Sequence, residues 1–378
     1  MSAPSASRDG ILVLNAGSST LKFAVYERRD GSLEPLARGL VEDAGDSSLA
    51  SAVDDVLARA ADALDGAPLR AAGHRVVLGG LEHSSATRID TAALARLRAL
   101  VPLAPLHQPR SLMPIEAIAM HDPRLPQVAC FDTAFHRTVP PVAERYALPR
   151  ELTEAGARRY GFHGLSYEFI AQALRRIDPE AARGRVIVAH LGSGASLCAM
   201  VDGRSVATTM GFSPLSGLVM STRPGDLDPG LVLWMQRTRG MDPDRVESLL
   251  YHDCGLKGIS GISGDMRVLL SCAEPRAREA IDLFTYRIVR EAGSLAAACA
   301  GLDAVVFTGG IGEHAAPIRA AVGKGLAWLG LELDPAANDR GGPRVSKDGS
   351  RIRAWVIPTD EESIVAAHPA ELALGPAA

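Results

Sequence analysis

Residues 11–26, ILVLNAGSSTLKFAVY, and residues 186–201, VIVAHLGSGASLCAMV, share one layout. Each opens with a short apolar run, breaks at a polar residue before a Gly-Ser turn, and resumes as a second alternating run. Such runs are too short for a typical helix and, in the second copy, β-branched enough for a buried strand, so each copy reads as strand, turn, strand. Asn15-Ala16-Gly17-Ser18 aligns with His190-Leu191-Gly192-Ser193, an offset of 175 residues (190 minus 15). That offset is far too long for a solenoid and suits two duplicated domains facing each other. Turn glycines let a backbone approach a ligand closely, and turn N–H groups can converge on an anion. Two such hairpins across a cleft predict a nucleotide between them; ordinary hairpins are the alternative.

The chain has 378 residues, beyond the size at which one core usually stops growing, so two domains are expected. A net charge of −4 argues against nucleic acid or an anionic membrane as the main partner, so positive charge must be concentrated locally at any anion site. The five cysteines form no CxxC pair, which favours a reducing cytoplasm over a disulfide framework. No apolar stretch is long enough to span a bilayer, and the opening MSAPSASRDG reads as a loose tail.

Ser47-Ser48 precede an amphipathic pattern of Leu49, Val53, Val56, Leu57, Ala60 and Leu64, which predicts a helix. Arg75 heads the apolar run Val76-Val77-Leu78; a charge there is held by an internal salt bridge or by a ligand anion. LAPLHQP (103–109) is a proline-bounded loop. QVACF (127–131) predicts a buried strand ending at Asp132, which would be a helix cap or a metal-binding or catalytic carboxylate. Pro140-Pro141 suggest a domain boundary, and RRYGFHG (158–164) a basic, aromatic turn before a helix from about 166 to 177. Thr208, Thr209, Ser221, Thr222 and Arg223 supply phosphate-compatible donors. Residues 276–300 predict a long helix with one apolar stripe, and Ala304–Phe307 a strand running into a glycine-rich turn that suits a phosphate or ribose. The last strand, Ile352–Ile357, ends at Asp360-Glu361-Glu362: solvated cap residues, or a magnesium site.

The sequence has no GxxxxGK[ST], no HExxH and no GxSxG. Arginines, histidines, isolated carboxylates and paired Gly-Ser turns remain, and these are the parts of phosphoryl transfer.

Nine motifs in order make the chain resemble the acetokinase family of the sugar kinase, heat-shock chaperone and actin superfamily. They are NAGSSTLKF (15–23), HRVVLGG (74–80), LAPLHQP (103–109), FDTAFH (131–136), RRYGFHG (158–164), HLGSGAS (190–196), MGFSPLSGLVMSTRPGD (210–226), FTGGIGE (307–313) and IPTDEE (357–362). The resemblance implies an α/β fold of two duplicated ribonuclease H-like domains with a cleft between them. Residues 1–136, completed by a C-terminal helix at 363–378, would form the first; residues 137–362 would form the nucleotide-binding and dimerisation domain. It also implies a homodimer and reversible transfer between ATP and acetate, giving ADP and acetyl phosphate with Mg2+, or Mn2+ in its place.

By the same resemblance, Arg75 and Arg223 would flank the phosphoryl group and hold acetate, with His163 on the phosphoryl oxygens. Asp132 would orient the carboxylate or support magnesium, which Asn15 and Glu361 would position. Lys22, His190, Gly192, Ser193 and Gly194 would border the phosphates; Asp265, Arg267, Gly310, Ile311 and Gly312 would surround the adenosine. Val77, Leu106, Phe162 and Pro214 would wall the methyl pocket.

The family's residues are replaced at Leu78, Ser193, Asp360, Ser216 and Gly264, and its GTSH stretch reads Gly164-Leu165-Ser166-Tyr167. A propionate or butyrate kinase differs from the favoured reading only in pocket volume. A nucleotide-binding regulator that lost turnover is the alternative from another class, and intact Arg75, His163, Arg223 and Glu361 weigh against it.

Overall fold

The computed structural model describes residues 8–17, 20–42 and 48–375, which divide into two compact units. Unit one comprises the chain up to Phe135 together with the segment from Asp360 onward; unit two runs from His136 to Thr359. Pro140 and Pro141 therefore lie inside unit two, where Pro141 opens a short helix, Pro141–Glu144.

Unit one is built on β1 (Asp9–Ala16), β2 (Leu21–Arg29), β3 (Ser32–Val41), β4 (Leu69–Val76), β5 (Thr87–Arg88) and β6 (Gln127–Phe131). Their order in the sheet is β3-β2-β1-β4-β6-β5. The first three are antiparallel, whereas β4 runs parallel to β1 and β6 parallel to β4. Unit two uses β7 (Arg185–Leu191), β8 (Ala195–Val201), β9 (Arg204–Thr208), β10 (Ala304–Thr308) and β11 (Arg353–Val356), ordered β11-β10-β7-β8-β9. Here too three antiparallel strands are followed by two parallel ones. The same five-strand scheme occurs twice, with β5 added antiparallel to β6 at the edge of unit one, and this is the ribonuclease H-like duplication.

The match extends to the turns. Asp30-Gly31 and Asp202-Gly203 all have positive φ (50°, 80°, 50° and 71°) and close the second hairpin of each unit. Two consecutive left-handed residues give the tight turn whose twist fits paired strands, hence Asp-Gly at both places. The first hairpins differ by one loop residue: Ala16 pairs with Leu21, but Leu191 pairs with Ala195. Ser18, in the Gly-Ser turn of the first copy, lies outside the described residues, as do Ser47 and residues 1–7. Asp9 and Gly10, read as tail from the sequence, instead begin β1 because they pair with Arg28 and Glu27 of β2.

The helix Leu49–Leu64 forms as its periodicity predicts, burying Leu49, Ala52, Val53, Val56, Ala60 and Leu64. These pack with Leu12, Leu14, Phe23 and Val25 of the unit-one sheet. The last helix, Glu361–Leu372, returns to unit one and lies so close to β4 that a Cβ on Gly73 would sit 2.5 Å from the Val365 carbonyl oxygen. Only glycine permits that approach.

Arg75 is not at the head of a strand, as its sequence context predicted, but one residue before the end of β4. The strand begins at Leu69 with Arg70, Ala71, Ala72 and Gly73, residues too small or polar to give an apolar signal. Arg75 consequently stands at the carboxyl edge of a parallel sheet, where α/β folds place ligand-binding groups.

Candidate active site

In unit one, the sheet register assembles a polar cluster around Arg75. Its neighbour on β6 is Cys130, so Asp132 projects two residues further on, beyond the strand end. Arg75 Nε donates to Asp132 Oδ1 at 3.0 Å, and Nη2 donates to Oδ2 in parallel. Nη1 donates to Asn15 Oδ1 at 3.1 Å, and a Glu361 oxygen lies 3.9 Å from Nε. Burial opposes the guanidinium's charge, but Asp132 and Glu361 outweigh it and raise its pKa. Three of the five guanidinium N–H groups are thus used, leaving one on each Nη for a planar carboxylate. Asp132, 2 % exposed in its side chain, acts here as the fixed anchor of Arg75.

The segment after Arg75 is clamped by its own loop neighbours. Buried Gln108 accepts from Leu78 N at 3.2 Å and donates to the carbonyls of Leu78 and Leu97, at 3.1 and 3.2 Å. Thr133 Oγ1 accepts from Gly79 N at 3.1 Å. The LAPLHQP motif therefore holds backbone through Gln108, while Leu106 is exposed and Val77 half-buried.

Glu361 begins the last helix. Burial, with Glu362 nearby, raises its carboxyl pKa against the lowering effects of Arg75 and Lys22. Asp360 is the N-cap, accepting from Ser363 N at 3.2 Å, and its other oxygen pairs with Arg38 at 2.8 Å. Of the adjacent carboxylates, one is a cap and one faces Arg75. Among the described residues no three His, Cys, Asp or Glu side chains cluster as a metal cage. Asn15 and Glu361 offer one amide and one carboxylate oxygen beside Arg75, a donor set that fits an ion completed by phosphates and water.

In unit two, His163 caps the helix Gly164–Ile177 in a left-handed conformation, φ 60°. Histidine is among the residues that tolerate this region. Its ring stacks on His190, with centroids 4.2 Å apart and planes inclined by 23°. His163 Nδ1 contacts Ser196 Oγ at 2.9 Å, and His190 Nδ1 contacts Ser166 Oγ at 2.9 Å. A Cβ built on Gly194 would lie 2.8 Å from Arg223 Nη2 and 3.1 Å from His163 Nε2. Arg223 and His163 therefore converge on the Gly192–Gly194 turn. Arg223 Nη1 donates to the Pro214 carbonyl at 2.9 Å, which fixes its aim. His136 is buried and holds the Phe162 carbonyl and Ser205; burial lowers its pKa to about 4. It is a structural group rather than an acid–base one.

A cavity of about 560 Å³ adjoins that turn. Six of the expected nucleotide residues line it: Gly192, Ser193, Asp265, Arg267, Gly310 and Ile311. Asp265 caps the helix Met266–Ser271 and is paired with exposed Arg267 at 2.6 Å. Gly264 is close-packed, since a Cβ there would lie 2.8 Å from the Ser221 carbonyl oxygen. Gly312 does not line the cavity and packs near Ala189 and Phe307. Lys22 stands in unit one, opposite Asn15 in the register. The four expected acyl-pocket residues divide between the units, Val77 and Leu106 in the first, Phe162 and Pro214 in the second.

Sequence reasoning assigned no role to Tyr167, Ser166, Ser196, Thr359 and Gln108. Ser196 was legible in principle, because counting outward from the Gly192–Gly194 turn pairs it with His190. The others are brought to the site by packing.

The family model described as "Acetokinase family" matches residues 43–367. An acetate kinase of Rhodopseudomonas palustris is 50% identical, covering 97% of this chain and 99% of its own. One from Rhizobium meliloti is 48% identical over the same shares. Among solved structures, acetate kinase from Porphyromonas gingivalis superposes with a TM-score of 0.86 at 34% identity, covering 95% of this chain and 98% of that one. A propionate kinase from Francisella tularensis gives 0.85 at 35% identity, with the same coverage.

Proposed function

The chain belongs to the acetokinase family, and from that premise we infer how its residues transfer the γ-phosphoryl group of ATP to acetate. One acetate oxygen forms the new P–O bond as the bond to the ADP oxygen breaks, and the reverse reaction makes ATP from acetyl phosphate. The observation that carries this reading is the convergence of Arg223 and His163 on Gly194, beside the cavity that shares Gly192 and Ser193. Transferring phosphoryl groups carry charge on their equatorial oxygens, and fixed N–H donors are what stabilise it.

Roles follow from the donors. The two remaining N–H groups of Arg75 take the acetate carboxylate, and Asp132 and Asn15 keep the guanidinium in one orientation. Arg223 and the Nε2 side of His163 meet the γ-phosphoryl oxygens. The cavity lined by Gly310, Ile311 and Asp265 takes the nucleoside, with Arg267 at its exposed edge. Magnesium, or manganese in its place, would be held from Glu361 and Asn15 and would neutralise phosphate charge. A coupled assay of ADP release with acetate, ATP and Mg2+ tests the reading; ATP binding without turnover on any short carboxylate would favour a regulator.

The structural likeness to a propionate kinase keeps that acceptor as the second reading, and competition between acetate and propionate decides it. A homodimer is supported by the helix Pro229–Arg239, which has no buried residue and exposes Leu231, Leu233 and Trp234 by nearly half. A second copy of this chain is the proposed cover, and sedimentation of the native protein tests it. Five free cysteines fit a reducing cytoplasm, and no described helix is long and apolar enough to cross a membrane.

A further inference from the structure

The stacked histidines are each tethered through a hydroxyl pair. Ser196 Oγ touches His163 Nδ1 at 2.9 Å and Tyr167 Oη at 2.5 Å. Ser166 Oγ touches His190 Nδ1 at 2.9 Å and accepts from Thr359 Oγ1 at 2.9 Å. Both Nε2 atoms then lie at the glycine turn: 3.1 Å from a Cβ built on Gly194 and 3.9 Å from one built on Gly192. Register explains the parallel, since His190 and Ser196 are direct cross-strand partners.

A phenol is a stronger donor and a weaker acceptor than an aliphatic hydroxyl. Tyr167 Oη–H therefore donates to Ser196 Oγ, and the single Ser196 proton points at His163 Nδ1. Thr359 already donates to Ser166, so the Ser166 proton is directed at His190 Nδ1. A ring nitrogen that accepts leaves the proton of a neutral imidazole on the other one. We propose that Tyr167–Ser196 and Thr359–Ser166 are positioning relays that hold His163 and His190 as Nε2–H tautomers. The turn that borders the phosphate path then receives two parallel N–H donors instead of a donor and an acceptor. An accepting Nε2 would repel a phosphoryl oxygen, so the tautomer matters to transfer. Arg223 stands on the same side of His163, and Tyr167 and His136 pack behind, with Tyr167 edge-on to both His136 and His190.

This inference rests on the phosphoryl-transfer reading of the site, yet its test reads ring nitrogens without turnover. Protein labelled with 15N-histidine is compared with His163→Asn and His190→Asn to assign the two rings by long-range 1H–15N spectra. At pH 7.5 both rings are expected to show an unprotonated Nδ1 and a protonated Nε2. Ser196→Ala should move only His163 towards averaged tautomer shifts and lower kcat about tenfold or more, with the ATP KM nearly unchanged. Tyr167→Phe should move the same shifts less, and Ser196→Thr, which keeps the hydroxyl, should retain the parental signature. Protonated Nδ1 in either parental ring overturns the relay. So does Ser196→Ala protein with unaltered His163 shifts. Parental protein with the expected tautomers but no transfer to any short carboxylate would leave the relay standing and overturn the proposed activity.

Discussion

Arg75 and Asp132 are joined by two parallel hydrogen bonds, Nε to Oδ1 at 3.0 Å and Nη2 to Oδ2, across adjacent parallel strands. A forked guanidinium met by both carboxylate oxygens is fixed in plane and direction as well as in charge. Asp132→Ala should therefore raise the acetate KM more than the ATP KM. Removing one partner of such a buried pair costs about 3–5 kcal/mol, with the lower end expected because Arg75 is partly exposed. Acetate and ATP titrations, with urea unfolding, check it; an unchanged acetate KM would remove Asp132 from acceptor binding.

Gly194→Ala places a methyl 2.8 Å from Arg223 Nη2 and 3.1 Å from His163 Nε2, so one of the two must move. Turnover should fall about 10²–10³-fold, the usual effect of losing one donor to developing oxyanion charge. Arg223→Ala should match or exceed that loss, and lysine should rescue it poorly because a point charge lacks the planar fork. ADP affinity, measured by calorimetry, should stay close to the parent's in all three variants.

The terminal carboxylates should separate by role. Asp360→Asn keeps a competent N-cap and loses only the half-exposed pair with Arg38, a change of less than about 1 kcal/mol. Its turnover should be near the parent's. Glu361→Ala should raise the magnesium concentration needed for half-maximal rate. If both variants kept the parental magnesium dependence, Glu361 would be structural as well.

His74 and His136 are buried, and burial lowers both pKa values to about 4 from 6.5. The unfolded chain binds these protons first, so the associated stability is full above pH 6.5 and is lost as pH falls towards 4. Each group accounts for roughly 3 kcal/mol over that window. His74→Leu, on the buried face of β4 opposite to that of Arg75, should flatten the pH dependence of the urea midpoint between pH 7 and 4.5. An equally steep loss in the variant would assign the acid sensitivity elsewhere.

Val77 is half-buried like Arg75, while His74 and Val76 are buried, so the two residues share the open side of the strand end. Val77→Ala should improve the propionate-to-acetate ratio of kcat/KM by about tenfold, because a methylene is worth roughly 1–3 kcal/mol of discrimination. Kinetics with acetate, propionate and butyrate check this, and an unchanged ratio would take Val77 out of the acyl pocket.

The duplication was legible because it is written in local chemistry. Alternating apolar runs and turn glycines state strand and turn wherever they occur, and the recurrence of the Gly-Ser turn 175 positions later stated that the unit occurs twice. The nine motifs likewise singled out Arg75, His163, Arg223 and Glu361 as candidates before any strand was placed. What the sequence could not state is which side chains meet. Asp132 alone suits a cap, a metal ligand or a substrate-orienting carboxylate; parallel pairing of β4 with β6 made it the anchor of Arg75. Asp360 and Glu361 are neighbours of one charge, yet the helix start turned one to Ser363 and Arg38 and the other to Arg75. Ser196 and Tyr167 carry no motif, and only hairpin register and helix packing bring both hydroxyls to one imidazole. Strand and turn preferences act over a few residues and survive in a single chain of letters. Hydrogen bonds between residues tens to hundreds of positions apart exist only once sheet register and backbone packing have fixed the distances.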